Sequence, residues 1–261
     1  MDASSINGKV AIVTGGAGGI GSLVCSTLAG RGVAVAVADM NAERTRDVAG
    51  EIASSGGRAL AVEVDVTSPA SVGAAVEQVV AAFERIDYLI HCAGNNVKAP
   101  VLEMTLEQWS SCLDTHLTGA FLFCQAAGRQ MVRQGEGGRI VLMSSVAAMT
   151  PVPERGAYTP AKAGLIGLAK LLSLEWAQYN IGVNAVCPGV AITPMTREVY
   201  RRDPALRAQR LKRMPMGREA LPQEIADLVV FLCSENSAYI NGTAVTIDGG
   251  FLNSGFMPEP A

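Results

Sequence analysis

Short apolar runs alternate along this chain with longer stretches in which apolar positions return every third or fourth residue. That alternation predicts strands interleaved with helices. Lys9-Val10-Ala11-Ile12-Val13-Thr14 reads as a buried strand that stops at a glycine segment, after which Leu23, Val24, Leu28 and Ala29 continue at helical spacing. Val33 to Ala38 is a second strand, and the charged stretch Asn41 to Ser55 is a surface helix ending at Gly56-Gly57. A third strand, Arg58 to Val64, reaches Asp65-Val66. Ser68 and Pro69 have the form of an N-cap and first helical residue, opening a helix from Ala70 to Glu84. Asp87 to His91 is the next strand, with Cys92-Ala93-Gly94 as the turn beyond it. Leu106 to Arg133 is helical in pattern, with Gly119 and Gly128 as small faces for close packing. Gly138 to Met143 is a strand that delivers Ser144 and Ser145, and a helix opens at Tyr158. Gly182 to Cys187 is a further strand ending in Pro188-Gly189, Pro222 to Cys233 a helix, and Ala244 to Ile247 a closing strand. Only 190–218 departs from this rhythm: it is basic, amphipathic and methionine-containing, as a mobile lid would be. With no repeat, low-complexity tract or linker, residues 1–261 form a single α/β domain with 190–218 as a substrate lid within it.

Composition narrows the class of partner. Hydrophobic residues make up 49% of the 261 and charged residues 17%, as buried parallel strands and closely packed helices require. The net charge of −3 comes without blocks of like charge, which excludes the basic footprint of a nucleic-acid or anionic-membrane binder and points to a small-molecule substrate. The six cysteines are scattered, without metal-ligand spacing, so no metal is expected. Met1 to Ser5 has neither a basic nor an apolar leader region, and charged residues or glycine interrupt every apolar run. The expectation is a cytoplasmic protein.

Three groups of residues carry candidate chemistry. In Gly15-Gly16-Ala17-Gly18-Gly19-Ile20-Gly21, glycines between a buried strand and a helix let a diphosphate approach the backbone, and the helix N-terminus offers it free N–H groups. The plainer reading is a flexible turn. Asp39, at the end of the second strand, stands where dinucleotide folds place a ribose-binding acid; it would repel a 2′-phosphate and so selects NAD(H) over NADP(H). Its plainer reading is a helix N-cap. Tyr158 and Lys162, four positions apart, share a helical face. A cation beside a phenol, whose ordinary pKa is about 10, favours the phenolate and permits acid–base work at a carbonyl or alcohol oxygen. Such a pair is otherwise an ordinary solvated face.

Together these residues resemble the short-chain dehydrogenase/reductase family from about Lys9 to Gly250. The resemblance implies a single Rossmann-type, doubly wound domain with a central seven-stranded parallel sheet flanked by helices. It implies hydride transfer between NAD(H) and a small secondary alcohol or ketone, possible substrates including a polyol or a sugar-derived acid. Homo-oligomers are implied, a tetramer ahead of a dimer, with the Leu106 region and the Tyr158 helix as interfaces. Gly15, Gly19, Ile20 and Gly21 match the family's cofactor turn, Asp39 its NAD-selecting acid and Asp65-Val66 its adenine contact. Ala93, Gly94, Pro188, Gly189 and Thr193 are assigned to the cofactor in the same way, with Tyr158 and Lys162. Ser145, Tyr158 and Lys162 match the catalytic residues, Ser145 being preferred to Ser144 by its separation from Tyr158.

Two positions depart from the family pattern. Its Asn-Asn-Ala-Gly turn is His91-Cys92-Ala93-Gly94 here, and its helix asparagine is His116. Either the His116 imidazole joins the proton relay and makes the rate respond to pH near ~6 to 7, or it packs locally. Arg155 and Arg197 are candidate carboxylate binders beside the site. The alternatives are a 3-oxoacyl thioester reductase of the same family, which Asp39 disfavours, and a non-catalytic NAD-binding sensor or scaffold.

Overall fold

In the computed structural model, residues 6–256 are described; Met1 to Ser5, read above as free of a leader, lie outside them. Strand β1 (Val10–Thr14) is followed by α1 (Gly19–Ala29), β2 (Ala34–Asp39), α2 (Ala42–Ser54), β3 (Ala59–Glu63), α3 (Pro69–Phe83) and β4 (Tyr88–His91). The second half runs α4 (Leu106–Leu113), α5 (Gly119–Gln134), β5 (Gly138–Met143), α6 (Tyr158–Glu175), β6 (Ile181–Pro188), α7 (Pro194–Arg202), α8 (Pro204–Leu211), α9 (Pro222–Cys233) and β7 (Ala244–Ile247).

The strands form one seven-stranded sheet in the order β3-β2-β1-β4-β5-β6-β7. Every pairing is parallel, so helices must cross over both faces and the strands are buried on both sides. This is why β1, β2, β4 and β5 read as continuous apolar runs. Two cores result. One packs Ile12, Leu89, Ile140 and Val183 beneath Phe123, Met131 and Leu165. The other packs Val13, Val35, Ile90 and Val141 beneath Leu28, Ile225 and Val229. Strand order reverses between β1 and β4, and a doubly wound sheet opens its ligand crevice at the carboxyl ends of the strands there.

Local signals are realised with small shifts. The Ser68 hydroxyl accepts the Ser71 N–H at 3.3 Å with Pro69 opening α3. The 190–218 stretch forms two short helices broken at Pro204, where the Asp203 carboxylate accepts the Leu206 N–H at 2.9 Å. The Leu106 to Arg133 stretch is not one regular helix. Between α4 and α5, Asp114–Thr118 widens to π-helical hydrogen bonding around His116. Among the described residues no helix is long and apolar enough to cross a membrane.

Candidate active site

The glycine turn packs against the β4 turn. Gly15 adopts φ +65°, and a Cβ there would lie 2.7 Å from the Ala93 backbone nitrogen. A Cβ on Gly21 would run into the Gly15 carbonyl oxygen. No side chain caps α1 behind Gly18, which leaves its first turn to an incoming anion. Asp39 is tied to this turn: one carboxylate oxygen accepts the Ala17 N–H at 3.2 Å and the other the Asn41 N–H at 3.1 Å. The N-cap of α2 is Asn41, whose side chain accepts the Arg44 N–H at 3.0 Å. The cap reading of Asp39 is thereby corrected, and its carboxylate sits at the rim of the phosphate-sized turn. Asp65, two residues past β3, accepts the Thr67 N–H at 2.9 Å and the Thr67 hydroxyl at 2.7 Å, which lower its pKa, and buried Val66 packs on Gly119.

Strand β5 and helix α6 bring the acid–base residues together. The Ser144 hydroxyl donates to the Lys162 carbonyl at 2.7 Å and so joins β5 to α6. Ser145 instead accepts the Ala147 N–H at 3.1 Å and faces Tyr158. Burial raises the Tyr158 pKa above its ordinary 10.0, while hydrogen bonding from Ser145 and then the charge of Arg155 pull it down. The Arg155 guanidinium lies 5.5 Å from the ring centroid and the Lys162 ammonium 5.4 Å. Lys162 is fully enclosed, donates to the Met143 carbonyl at 2.6 Å, and is pushed by burial down to about 8. Lys162, expected to set the phenol's acidity, thus holds its ammonium near the ring while donating to Met143, and Arg155 adds a second cation beside the phenol.

His116 meets the Tyr158 ring edge-on at 5.3 Å. Its Nε2 lies 2.9 Å from the Asn95 carbonyl oxygen and 3.2 Å from the Asn95 backbone nitrogen, and Nδ1 is buried without a partner. A side chain at position 94 would run into the imidazole, so the glycine there is required by the ring. Burial, then the Lys162 charge, lower the His116 pKa to about 3. The ring is thus neutral at pH 6 to 7, and the geometry supports the packing reading over the relay. His91, at the end of β4, contacts the Thr14 hydroxyl through Nδ1 at 2.9 Å and faces the Thr115 and His116 carbonyls without closing a hydrogen bond to either.

Sequence reasoning missed Cys112 and Arg210. Cys112 is buried one turn before His116 on the same face, close enough to act electrostatically on Tyr158, Arg155 and Lys162; the spacing was the available signal. Arg210, on α8, contributes a like charge that is felt at Arg155, which nothing in the local sequence announces. Arg197 is exposed and, among the described residues, no ion pair holds it. Pro188 and Gly189 end β6, where the Gly189 N–H donates to the Ile247 carbonyl at 2.9 Å, and Thr193 caps α7 by accepting the Thr196 N–H at 3.3 Å. No group of acidic, histidine or cysteine side chains suited to a metal occurs among the described residues.

Residues 15–252 match a family model described as enoyl-(acyl carrier protein) reductase. The chain is 40% identical to a D-threitol dehydrogenase of Mycolicibacterium smegmatis over 94% of each chain. It is 38% identical to a 3-oxoacyl-[acyl-carrier-protein] reductase of Aquifex aeolicus, covering 95% of this chain and 98% of that one. The crystal structure of an acetoin dehydrogenase from Enterobacter cloacae superposes with a TM-score of 0.86 at 40% identity, over 96% of this chain and 98% of that one. With the Gly15 turn, the serine, tyrosine and lysine gathered at one sheet edge, and relatives matching nearly end to end, the chain belongs to the short-chain dehydrogenase/reductases, enzymes that act on alcohols and their carbonyl counterparts.

Proposed function

We propose that this enzyme transfers a hydride between NAD(H) and a small secondary alcohol or its ketone, with polyols as the substrate class. The observation that carries the proposal is a buried Tyr158 phenol facing Ser145, at the same sheet edge as a glycine turn to which Asp39 is hydrogen-bonded. The glycine turn packs so tightly on neighbouring backbone that a Cβ at Gly15 or Gly21 is excluded, the uncapped first turn of α1 behind it fits a diphosphate, and the Asp39 carboxylate fits two vicinal ribose hydroxyls while repelling a 2′-phosphate. Asp65-Val66, Ala93-Gly94, Pro188-Gly189 and Thr193 line the remaining length of the same edge. When bound, the nicotinamide supplies the hydride acceptor or donor.

The chain's own residues manage the proton. Tyr158 takes the hydroxyl proton in oxidation and returns it in reduction. Ser145 donates to the substrate oxygen and stabilises the charge that develops there. Lys162, whose ammonium is held by Met143, keeps a positive field under the phenol, and His116 braces the ring edge as a neutral packing group. Because burial holds the phenol above its ordinary value, oxidation speeds up and reduction slows as pH rises through the alkaline range. The α7–α8 pair acts as the lid. Exposed apolar side chains on α5 and α6, Phe121, Leu171 and Leu174, support a homotetramer. The six free cysteines support a cytoplasmic setting.

The 3-oxoacyl thioester reductase reading draws on the Aquifex aeolicus relative. The deciding experiment is a panel of threitol, glycerol, acetoin and an acetoacetyl thioester, followed by nicotinamide absorbance with NAD(H) and NADP(H) in parallel. Preference for polyols with NAD is expected; thioester reduction with NADPH would overturn the proposal.

A further inference from the structure

Asn95 stands between two halves of the site: it follows directly on the Ala93–Gly94 turn and reaches the segment that carries His116. Its side-chain amide nitrogen lies 3.1 Å from the Ser111 carbonyl, 3.1 Å from the Ser111 hydroxyl and 3.2 Å from the Thr115 hydroxyl. Ser111 belongs to α4 and Thr115 to the π-helical turn, so one amide group ties both elements to the β4 turn. The Thr115 hydroxyl donates to the same Ser111 carbonyl at 2.8 Å. The orientation of the amide follows from these neighbours. A carbonyl oxygen only accepts, so the group facing Ser111 must be the NH2, and Oδ1 is left buried with no hydrogen-bond partner among the described residues.

The backbone of the same residue holds the imidazole. His116 Nε2 is 2.9 Å from the Asn95 carbonyl oxygen and 3.2 Å from the Asn95 nitrogen. With Nε2 protonated the ring donates to the carbonyl, and with Nε2 bare it accepts the N–H, so either tautomer keeps a bond to Asn95. The ring is 2% exposed, fills the space that a side chain at Gly94 would need, and meets Tyr158 edge-on with centroids 5.3 Å apart. The next residue, Asn96, accepts from Arg155, whose guanidinium is 5.5 Å from the centroid of the same phenol ring. Two successive residues thus reach two groups that border Tyr158. A single π-helical turn is a rare shape found mostly at functional sites, and here the Asn95 amide fastens it from outside the helix.

We propose that Asn95 is a positioning residue for Tyr158: its amide locks the π-helical turn against the β4 turn, and its backbone holds the imidazole that bounds the phenol. It acts through His116 and not on the reacting atoms. This rests on the reading of Tyr158 as the proton-transfer group of an alcohol dehydrogenase, and adds to it the residue that keeps the phenol aligned.

Asn95→Asp keeps the size of the side chain but sets an oxygen against the Ser111 carbonyl. Nuclear magnetic resonance of the full-length protein with labelled tyrosine rings reads the phenol without turnover, the Tyr158 signals being identified by their loss in Tyr158→Phe. In Asn95→Asp these signals are expected to move, as they should in His116→Asn. Combining the two substitutions should add nothing to His116→Asn alone, because residues that act in series are not additive. Tyr158 signals unmoved in Asn95→Asp, or moved equally with and without the imidazole, overturn the proposal. In turnover of threitol with saturating NAD, Asn95→Asp should lower kcat about tenfold or more, as misalignment of reacting groups does, with the NAD Kd by calorimetry unchanged. A weakened NAD Kd with kcat unchanged would assign Asn95 to the cofactor and also overturn it. Thr115→Val removes one acceptor, leaves Asn95 in place and should move the same signals by less; if Asn95→Asp does not fold, unmoved signals in Thr115→Val overturn the proposal. If the parent oxidises no alcohol, the alcohol reading fails, while the resonance arm still decides the role of Asn95.

Discussion

The two ends of the same sheet are built on opposite principles. At the amino end, buried Asp87 accepts the Val10 N–H at 2.9 Å, two bonds from Arg85 at 2.9 and 2.7 Å, and faces Lys9 at 3.3 Å; Arg85 continues to Glu136 at 2.6 Å. Beside it the Gln134 amide closes both backbone groups of Ile86, at 2.8 and 2.9 Å. At the carboxyl end, His91 Nε2, Asn95 Oδ1, His116 Nδ1 and Thr159 Oγ1 are buried with no hydrogen-bond partner. These are the buried side-chain atoms left unpartnered among the described residues, and all four lie on one edge. Leaving buried polar atoms unpaired costs stability. The amino end therefore secures the fold, and the carboxyl end keeps polar groups free for chemistry.

Substitutions at the two ends should separate rate from stability. Lys162→Met, at the carboxyl end, is expected to lower kcat/KM by about 10²- to 10⁴-fold, the usual range for disabling acid–base machinery, with a urea midpoint no lower than that of the parent. Asp87→Asn should do the reverse: a loss of about 2 kcal/mol in urea unfolding, as for hydrogen bonds to a charged group, with kcat changed less than about twofold. A large rate loss in Asp87→Asn would break the division.

The next effect is on the pH dependence of stability. Burial lowers both His91 and His116 from 6.5 to about 3. The unfolded chain then binds their protons first, so their contribution is fully present above about pH 6.5 and is lost as pH falls toward the folded values. Each imidazole steepens the fall by up to about 1.4 kcal/mol per pH unit, and urea midpoints between about pH 7 and 5 should flatten in His116→Asn. A slope unchanged by that substitution would mean the ring titrates normally. The smallest expected effect concerns rate: because His116 stays neutral, His116→Asn should leave the midpoints of the pH–rate profile in place. A midpoint lost near pH ~6 to 7 would restore the relay.

How far the sequence carries depends on whether a feature is local. The buried strands, the Ser68–Pro69 helix start and the Tyr158–Lys162 spacing follow from period and capping chemistry, and they appear within a residue or two of expectation. The π-helical turn at His116 does not, because it is shaped by an imidazole packing on Gly94, in a turn distant in sequence. Asp39 and Asn41 are both chemically able to cap α2, and only three-dimensional placement assigns the cap to Asn41. Lys162 illustrates the same limit. Its spacing to Tyr158 was legible, but the Met143 carbonyl that holds its ammonium lies on strand β5, distant in sequence, and Arg155 reaches the phenol from a loop.

The central claim, that Tyr158 is the proton-transfer group of an NAD-dependent alcohol dehydrogenase, is most directly tested by Tyr158→Phe in a single-turnover assay with saturating NAD and threitol. Expected is reduced-nicotinamide absorbance appearing in the parent enzyme and slowed by about 10²- to 10⁴-fold in the variant, with NAD binding by calorimetry retained. Turnover at the parent rate in Tyr158→Phe would contradict the account.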